Sequence, residues 1–147
     1  MRVSVIGGST VTDDQYRQAR EVGRLLGERG HDVVCGGLGG VMEAVCAGAS
    51  GAGGHTIGIV PTDERSVAND YVETAIATGM GNARNVLVVL NGDAVIAIDG
   101  NTGTLSELGH ALDTGRPVAG LETHSFEGIE PVERPVEAVD YVESTVE

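Results

Sequence analysis

Residues 98–110 read Ile98-Asp-Gly-Asn-Thr-Gly-Thr-Leu-Ser-Glu-Leu-Gly-His110. The small apolar run from Ala94 to Ile98 in front of it predicts a buried strand. That strand stops at a glycine-rich turn, and helical periodicity starts at Thr104, with Glu107 in its first turn. A strand that halts at glycines and resumes as a helix leaves backbone N–H groups unpaired at the positive end of a helix dipole. That is a place for a phosphate. A carboxylate there repels an anion, so Glu107 either complements the helix dipole or has a chemical role of its own.

The same alternation extends in both directions. Buried strands are expected at Val3–Ile6, His31–Cys35 and Thr56–Val60, the last stopped by Pro61. A polar loop from Thr62 to Asp70 leads to a short strand near Val72–Ala77, and Pro117–Leu121 gives a last core strand. Helices are expected from Thr12 or Asp13 to about Arg29, with Ala19, Val22, Leu25 and Leu26 on the apolar face, and from Val41 to about Ser50. Two more run from the Gly79–Asn85 stretch to about Leu90 and from Thr104 to about Leu112, although Val86–Leu90 alone also reads as a strand. Beyond Phe126 the pattern fades until Pro135, an N1-type proline, opens a helix to about Val146. Uniformly apolar strands between helices imply a mostly parallel sheet covered on both faces. The expected fold is therefore α/β and Rossmann-like: one doubly wound domain over residues 1–147, with its core at about 3–121 and a C-terminal helix at about 135–146.

The chain has 147 residues, enough for one domain that buries roughly 68–70% of its unfolded surface. It carries 22 acidic against 9 basic residues, a net charge of −13, and every basic residue is an arginine. Such an excess points to a halophilic protein whose self-repulsion is screened by a salt-rich cytosol; the alternative is an ordinary acidic protein with GC-rich codon usage. It disfavours nucleic-acid binding, for which no basic stripe exists. Without lysine there is no Schiff-base chemistry and no P-loop lysine. No leader-like or membrane-length apolar run is present, so a cytoplasmic protein without a membrane partner is expected. Cys35 falls at a strand end and Cys46 inside a helix, which predicts buried free thiols and poor geometry for a mutual disulfide. Glu107-x-x-His110 has the spacing of carboxylate-bundle metal ligands, but such sites need a second copy that this chain lacks, so no metal is expected.

Three glycine turns follow strands: Gly7-Gly8-Ser9, Gly36-Gly37-Leu38-Gly39-Gly40, and Gly100-Asn101-Thr102-Gly103. In the expected topology all lie at one edge of the sheet, where glycine lets backbone approach a ligand closely. The dinucleotide fingerprint fails because Met42 stands where its last glycine belongs. A mononucleotide or another phosphorylated ligand fits better. Arg84 is placed near the start of its helix, the wrong end for an unpaired cation. Either a ligand phosphate or Glu107 faces it, or it is a solvated surface side chain.

Taken in order, Gly36-Gly37-Leu-Gly39-Gly40-Val-Met42-Glu, Gly58-Ile-Val-Pro61, Thr78-Gly-Met-Gly-Asn-Ala-Arg84-Asn85 and Gly100-x-x-Gly103-Thr104-Leu-Ser-Glu107 form a pattern. It resembles the superfamily of Lonely Guy phosphoribohydrolases and molybdenum cofactor carrier proteins, and within it the small carrier-like branch, over about Val3–Leu121. The resemblance implies that the Gly100–Thr104 loop grips a phosphate through backbone N–H groups and Thr104. In the hydrolase branch an arginine and a glutamate at the positions of Arg84 and Glu107 flank the ribose and help cleave an N-glycosidic bond. The carrier branch binds the phosphate of molybdopterin. Two departures stand out: Asp99-Gly100-Asn101 replaces the hydrolases' Pro-Gly-Gly, and Asn85 replaces a basic residue. Asn101 is a candidate for a positive φ, and Asp99 brings a negative charge near the phosphate unless it caps the helix or binds ribose hydroxyls.

The expected function is binding of a phosphorylated nucleotide-like or molybdopterin-type ligand, possession of which fits a cofactor carrier. The alternative is a nucleoside 5′-monophosphate phosphoribohydrolase, in which Glu107 stabilises oxocarbenium character or orients water and Arg84 fixes phosphate or ribose. A DNA-handling role like that of DNA-processing protein A, which shares the fold, is disfavoured by the charge. The resemblance also implies a homo-oligomer, dimer or tetramer.

Overall fold

Strands with no polar face need cover on both sides, and the computed structural model, which describes residues 1–146, supplies it. Its seven strands are β1 (Arg2–Gly7), β2 (Asp32–Cys35), β3 (Thr56–Val60), β4 (Thr74–Ala77), β5 (Ala94–Ile98), β6 (Val118–Leu121) and β7 (Ile129–Val132). They form one sheet in the order β4-β3-β2-β1-β5-β6-β7, with every neighbouring pair parallel. The chain walks outward from β1 to β4, then returns to the other flank of β1 for β5, β6 and β7. The reversal falls between β1 and β5, where Val3–Gly7 pairs with Ala94–Ile98. In a Rossmann-like sheet this reversal opens a crevice beyond the carboxyl ends of the strands.

The helices are α1 (Asp13–Glu28), α2 (Val41–Gly51), α3 (Asn85–Leu90), α4 (Thr102–Asp113) and α5 (Pro135–Thr145). Successive strand side chains point to opposite faces. Val3, Val5, Val33 and Ile96 thus pack with Leu26, Val45 and Val139 under α1, α2 and α5, while Ile6, Val34, Ile59 and Val95 meet Val88 and Leu108 under α3 and α4. The start of α1 is fixed by a capping box: Thr12 accepts from the Gln15 N–H, and the Gln15 side chain accepts from the Thr12 N–H. Glycines let α1 and α2 touch backbone to backbone. A Cβ on Gly23 would collide with the Val45 carbonyl oxygen, and one on Gly48 with that of Arg20. Arg29 ties the end of α1 to α5 through Asp140 at 2.8 Å and Glu143 at 2.9 Å.

Several expectations need correcting. The tail beyond Phe126 holds an unforeseen strand, β7, whose residues are half-buried or exposed and which includes Pro131. A strand at the sheet's edge can lose an N–H and one apolar face, so it leaves no run to read. The stretch before Leu90 is not one helix but a 3-10 turn, Gly81–Arg84, running into the six-residue α3. A second 3-10 turn, Arg65–Val67, sits in the polar loop. Helix α4 begins at Thr102, two residues early, which moves Glu107 out of the first turn.

Candidate ligand site

The three glycine turns meet. The Val41 N–H donates to Gly8 O at 3.0 Å, resting the loop after β1 on the start of α2. A Cβ on Gly40 would strike the same carbonyl, and one on Gly8 would lie 3.7 Å from Gly100 Cα. Only bare backbone fits this junction. Gly40 and Gly100 moreover have φ of 64° and 111°.

Beside the junction is a cavity of about 280 Å³. Of the residues expected from sequence, Gly7, Ser9, Gly36, Met42, Arg84, Asn85, Asn101, Thr102, Gly103, Thr104 and Glu107 line it. Gly8, Gly37, Gly39, Gly40 and Gly100 do not; they shape the turns behind it. Asn82, Leu38, Val5 and Ile6 also line it without having been foreseen. Asn82 lies within the Thr78–Asn85 motif, but a 3-10 turn has no apolar periodicity that would show it facing the cavity.

One wall is the N-terminus of α4. Its N-cap, Asn101, makes no side-chain cap, and its carbonyl accepts from the Leu105 N–H at 2.9 Å. The amides of Thr102, Gly103 and Thr104 precede the first intrahelical donor and have no protein acceptor among the described residues. The connection after β6 holds this wall from behind: Thr123 Oγ1 donates to Asp99 O at 2.7 Å, and His124 Nε2 lies 3.1 Å from Asn101 O.

Arg84 is not solvated, and it has no ion pair among the described residues. It is 6% exposed, and its guanidinium donates to Ile59 O at 2.9 Å, to Gly36 O at 3.4 Å and to Asn85 Oδ1. Among the described residues no ion pair joins it to Glu107. Burial pulls its pKa below the ordinary arginine value, against the pull of the Glu107 charge. Arg84 therefore braces the ends of β2 and β3 with most of its donors and presents the remainder to the cavity.

Glu107 is 8% exposed and takes no hydrogen bond from the described residues. Burial pushes its pKa from 4.5 up to about 7, with Arg84 opposing the rise. Both its position in the second turn and its burial remove the helix-dipole explanation. Near neutrality it is a proton donor as often as an anion. The expected positive φ at Asn101 is also wrong: Asn101 has φ −124°, and Asp99 takes the left-handed conformation at 53°. Asp99 does not cap α4; its Oδ2 occupies space 2.8 Å from where a Gly8 Cβ would stand.

Cys35 and Cys46 are free and fully buried, as expected, but their separation is not. The two sulfurs lie 3.5 Å apart, because the glycine turn between them folds α2 directly back over β2. Among the described residues no helix is long and apolar enough to cross a membrane.

A family model described as the SLOG cluster4 family matches residues 1–147, and the chain belongs to that family. An uncharacterised protein of Archaeoglobus fulgidus is 44% identical over 96% of this chain and 93% of its own. A protein of Oryza sativa subsp. japonica, named a probable cytokinin riboside 5′-monophosphate phosphoribohydrolase, is 36% identical over 73% of this chain. The chain spans about half of that relative's length, 46%. Among solved structures, the molybdenum cofactor binding protein of Rippkaea orientalis superposes with a TM-score of 0.92 at 33% identity, covering 97% of this chain and 95% of the other.

Proposed function

We propose that this SLOG cluster4 protein binds a phosphorylated ligand of the nucleotide or molybdopterin type in the cavity beyond β1, β2 and β5. The observation that carries the reading is the uncapped start of α4 in the cavity wall. Three amides without acceptors, at the positive end of a twelve-residue helix, are a ready anion site. Thr104, 2% exposed, adds a hydroxyl to them. The full-length match to a solved molybdenum cofactor binding protein supports a carrier of such a cofactor. Mass spectrometry of small molecules released from protein purified in high salt tests the reading, with saturable binding of the identified molecule as the follow-up. A Cβ on Gly103 would meet only Asn85 Nδ2, at 4.0 Å, and its φ is not positive. There is thus room for a Cβ at this position, and Gly103→Val, with its fold checked by circular dichroism, fills the anion site; binding should fall by more than tenfold, about 1.4 kcal/mol or more. Unchanged binding in this variant overturns the assignment.

Glu107 favours a second reading. A buried acid poised near neutrality across from an arginine is the kind of group that assists departure of a base from a ribose. The protein is then a phosphoribohydrolase that releases free base and ribose 5-phosphate from a nucleoside 5′-monophosphate. Incubation with a panel of such monophosphates decides it: base release that disappears in Glu107→Gln establishes the enzyme, and no release from any of them removes it.

A further inference from the structure

The pair of buried thiols lies directly behind this cavity, and the function described so far does not use it. Cys35 closes β2 and Cys46 lies in the middle of α2, so the two bracket the whole Gly36–Gly40 turn. Their sulfurs are 3.5 Å apart, and Cys35 Sγ also accepts the Gly37 N–H at 3.3 Å and lies 3.9 Å from Met42 O. Both are fully buried, yet Gly36 and Met42, which flank Cys35, line the cavity. Neither sulfur lines the cavity itself, so a small oxidant there reaches Cys35 by displacing the Gly36 backbone or the Met42 side chain.

We propose that Cys35 and Cys46 form a hydroperoxide-sensitive pair whose disulfide unseats the Gly36–Gly40 turn and so weakens the site in front of it. The Cys35 thiolate attacks the distal oxygen of the hydroperoxide to give a sulfenic acid: an S–O bond forms as the O–O bond breaks, and the departing alkoxide, or hydroxide from hydrogen peroxide, takes up the proton lost by Cys35 to leave as alcohol or water. Cys46 then attacks the Cys35 sulfur, a disulfide forms, and the expelled hydroxide leaves as water with the Cys46 proton. Two thiols are oxidised and one peroxide is reduced. The roles follow from the surroundings: Cys35 accepts the Gly37 N–H, and this bond together with the contact to Cys46 holds its pKa below the ordinary thiol value against burial. Cys46, equally dry and 3.5 Å from the Cys35 sulfur, is pushed up and stays a thiol until the sulfenic acid forms.

Bond formation requires the sulfurs to close by roughly 1.5 Å, to about 2.05 Å. That motion displaces the Cys35 Sγ that accepts the Gly37 N–H at 3.3 Å, and loosening of the turn requires this bond to lengthen. The turn loses an internal tether while Gly37, at φ 80° and packed against Val60, has little room to follow. The consequence for ligand rests on the binding reading above; the chemistry and the loosening of the turn do not.

The experiment takes the reduced, folded chain in high salt and treats it with hydrogen peroxide. The expected product is monomeric by mass, lighter by two hydrogen atoms, without titratable thiol after unfolding, and restored by dithiothreitol. Amide hydrogen exchange at residues 36–40 should quicken about tenfold in the oxidised form relative to the reduced one. Cys46→Ser should instead stop at a sulfenic acid that dimedone traps. Retention of both thiols, over-oxidation without a disulfide, or unchanged exchange across the turn overturns the proposal, and each is read on the wild-type chain whatever the variant does. Titration with AMP separates the two ideas: if the reduced chain binds it, oxidation should weaken binding about tenfold. Failure of reduced chain and released-molecule analysis alike to show a ligand counts against the binding reading, while mass and exchange still decide the thiol pair.

Discussion

Glu107 makes its own contribution to the pH dependence of stability. Its pKa is raised by burial from 4.5 to about 7, so between those values the folded chain holds a proton that the unfolded chain has lost. Stability is then greatest below pH 4.5 as far as this group is concerned, falls as pH rises through about 7, and is flat above. The full cost of the ionised carboxylate is about 3 kcal/mol. Glu107→Gln should therefore stabilise the protein by about 2–3 kcal/mol at pH 8.5 and change it little at pH 4.5, measured by urea unfolding at each pH. An equal effect at both values would show that packing, not charge, governs the site. The identity of this residue was legible in the sequence, since a carboxylate beside an anion site begged a reason. Its burial was not, because the local pattern started the helix at Thr104 and put Glu107 in a turn where acids are ordinary. Arg84 shows the same limit. Its acceptors, Ile59 O in β3 and Gly36 O just past β2, are far away in sequence, and no local window contains them.

The elements themselves were largely readable where they are buried on all sides. β3 and β5 start and end where their apolar runs do, and α1 starts at its capping box. Legibility fails where burial is partial: β7 at the sheet edge, and the 3-10 turn before α3. It also fails for contacts made by what is missing. Gly23 and Gly48 look like weak points in helices, since glycine costs about 1 kcal/mol there relative to alanine, yet they are where α1 and α2 lie closest. Gly48→Ala, which raises helix propensity, should destabilise the chain by about 2–4 kcal/mol because its methyl group meets the Arg20 backbone. Gly51→Ala, with open space around its Cβ, should not. The midpoints of denaturant unfolding for the two variants check the contrast. A stabilised Gly48→Ala would mean that the helices can separate without loss.

At the scale of the whole molecule, charge dominates. Many arginines are already occupied by nearby acids, as Arg24 is by Glu21 and Glu28, and Arg29 by Asp140 and Glu143. The net −13 is the acidic excess left after all 9 arginines are set against the 22 acids, and no lysine is present to offset it. Raising KCl from about 0.1 M to 2 M shrinks the Debye length from about 10 Å to under 3 Å and should raise Tm by roughly 10 °C. Circular dichroism is the measurement of choice, as there is no tryptophan to report. A flat or falling Tm would show that repulsion does not limit this fold.

The stitches from Thr123 and His124 to the carbonyls of Asp99 and Asn101 carry a consequence for engineering. They make the peripheral segment ahead of Ile129 a guy-rope for the rim of the cavity. Splicing a tag or a foreign sequence into that segment slackens the rope, and the damage surfaces at the mouth of the cavity, not at the splice.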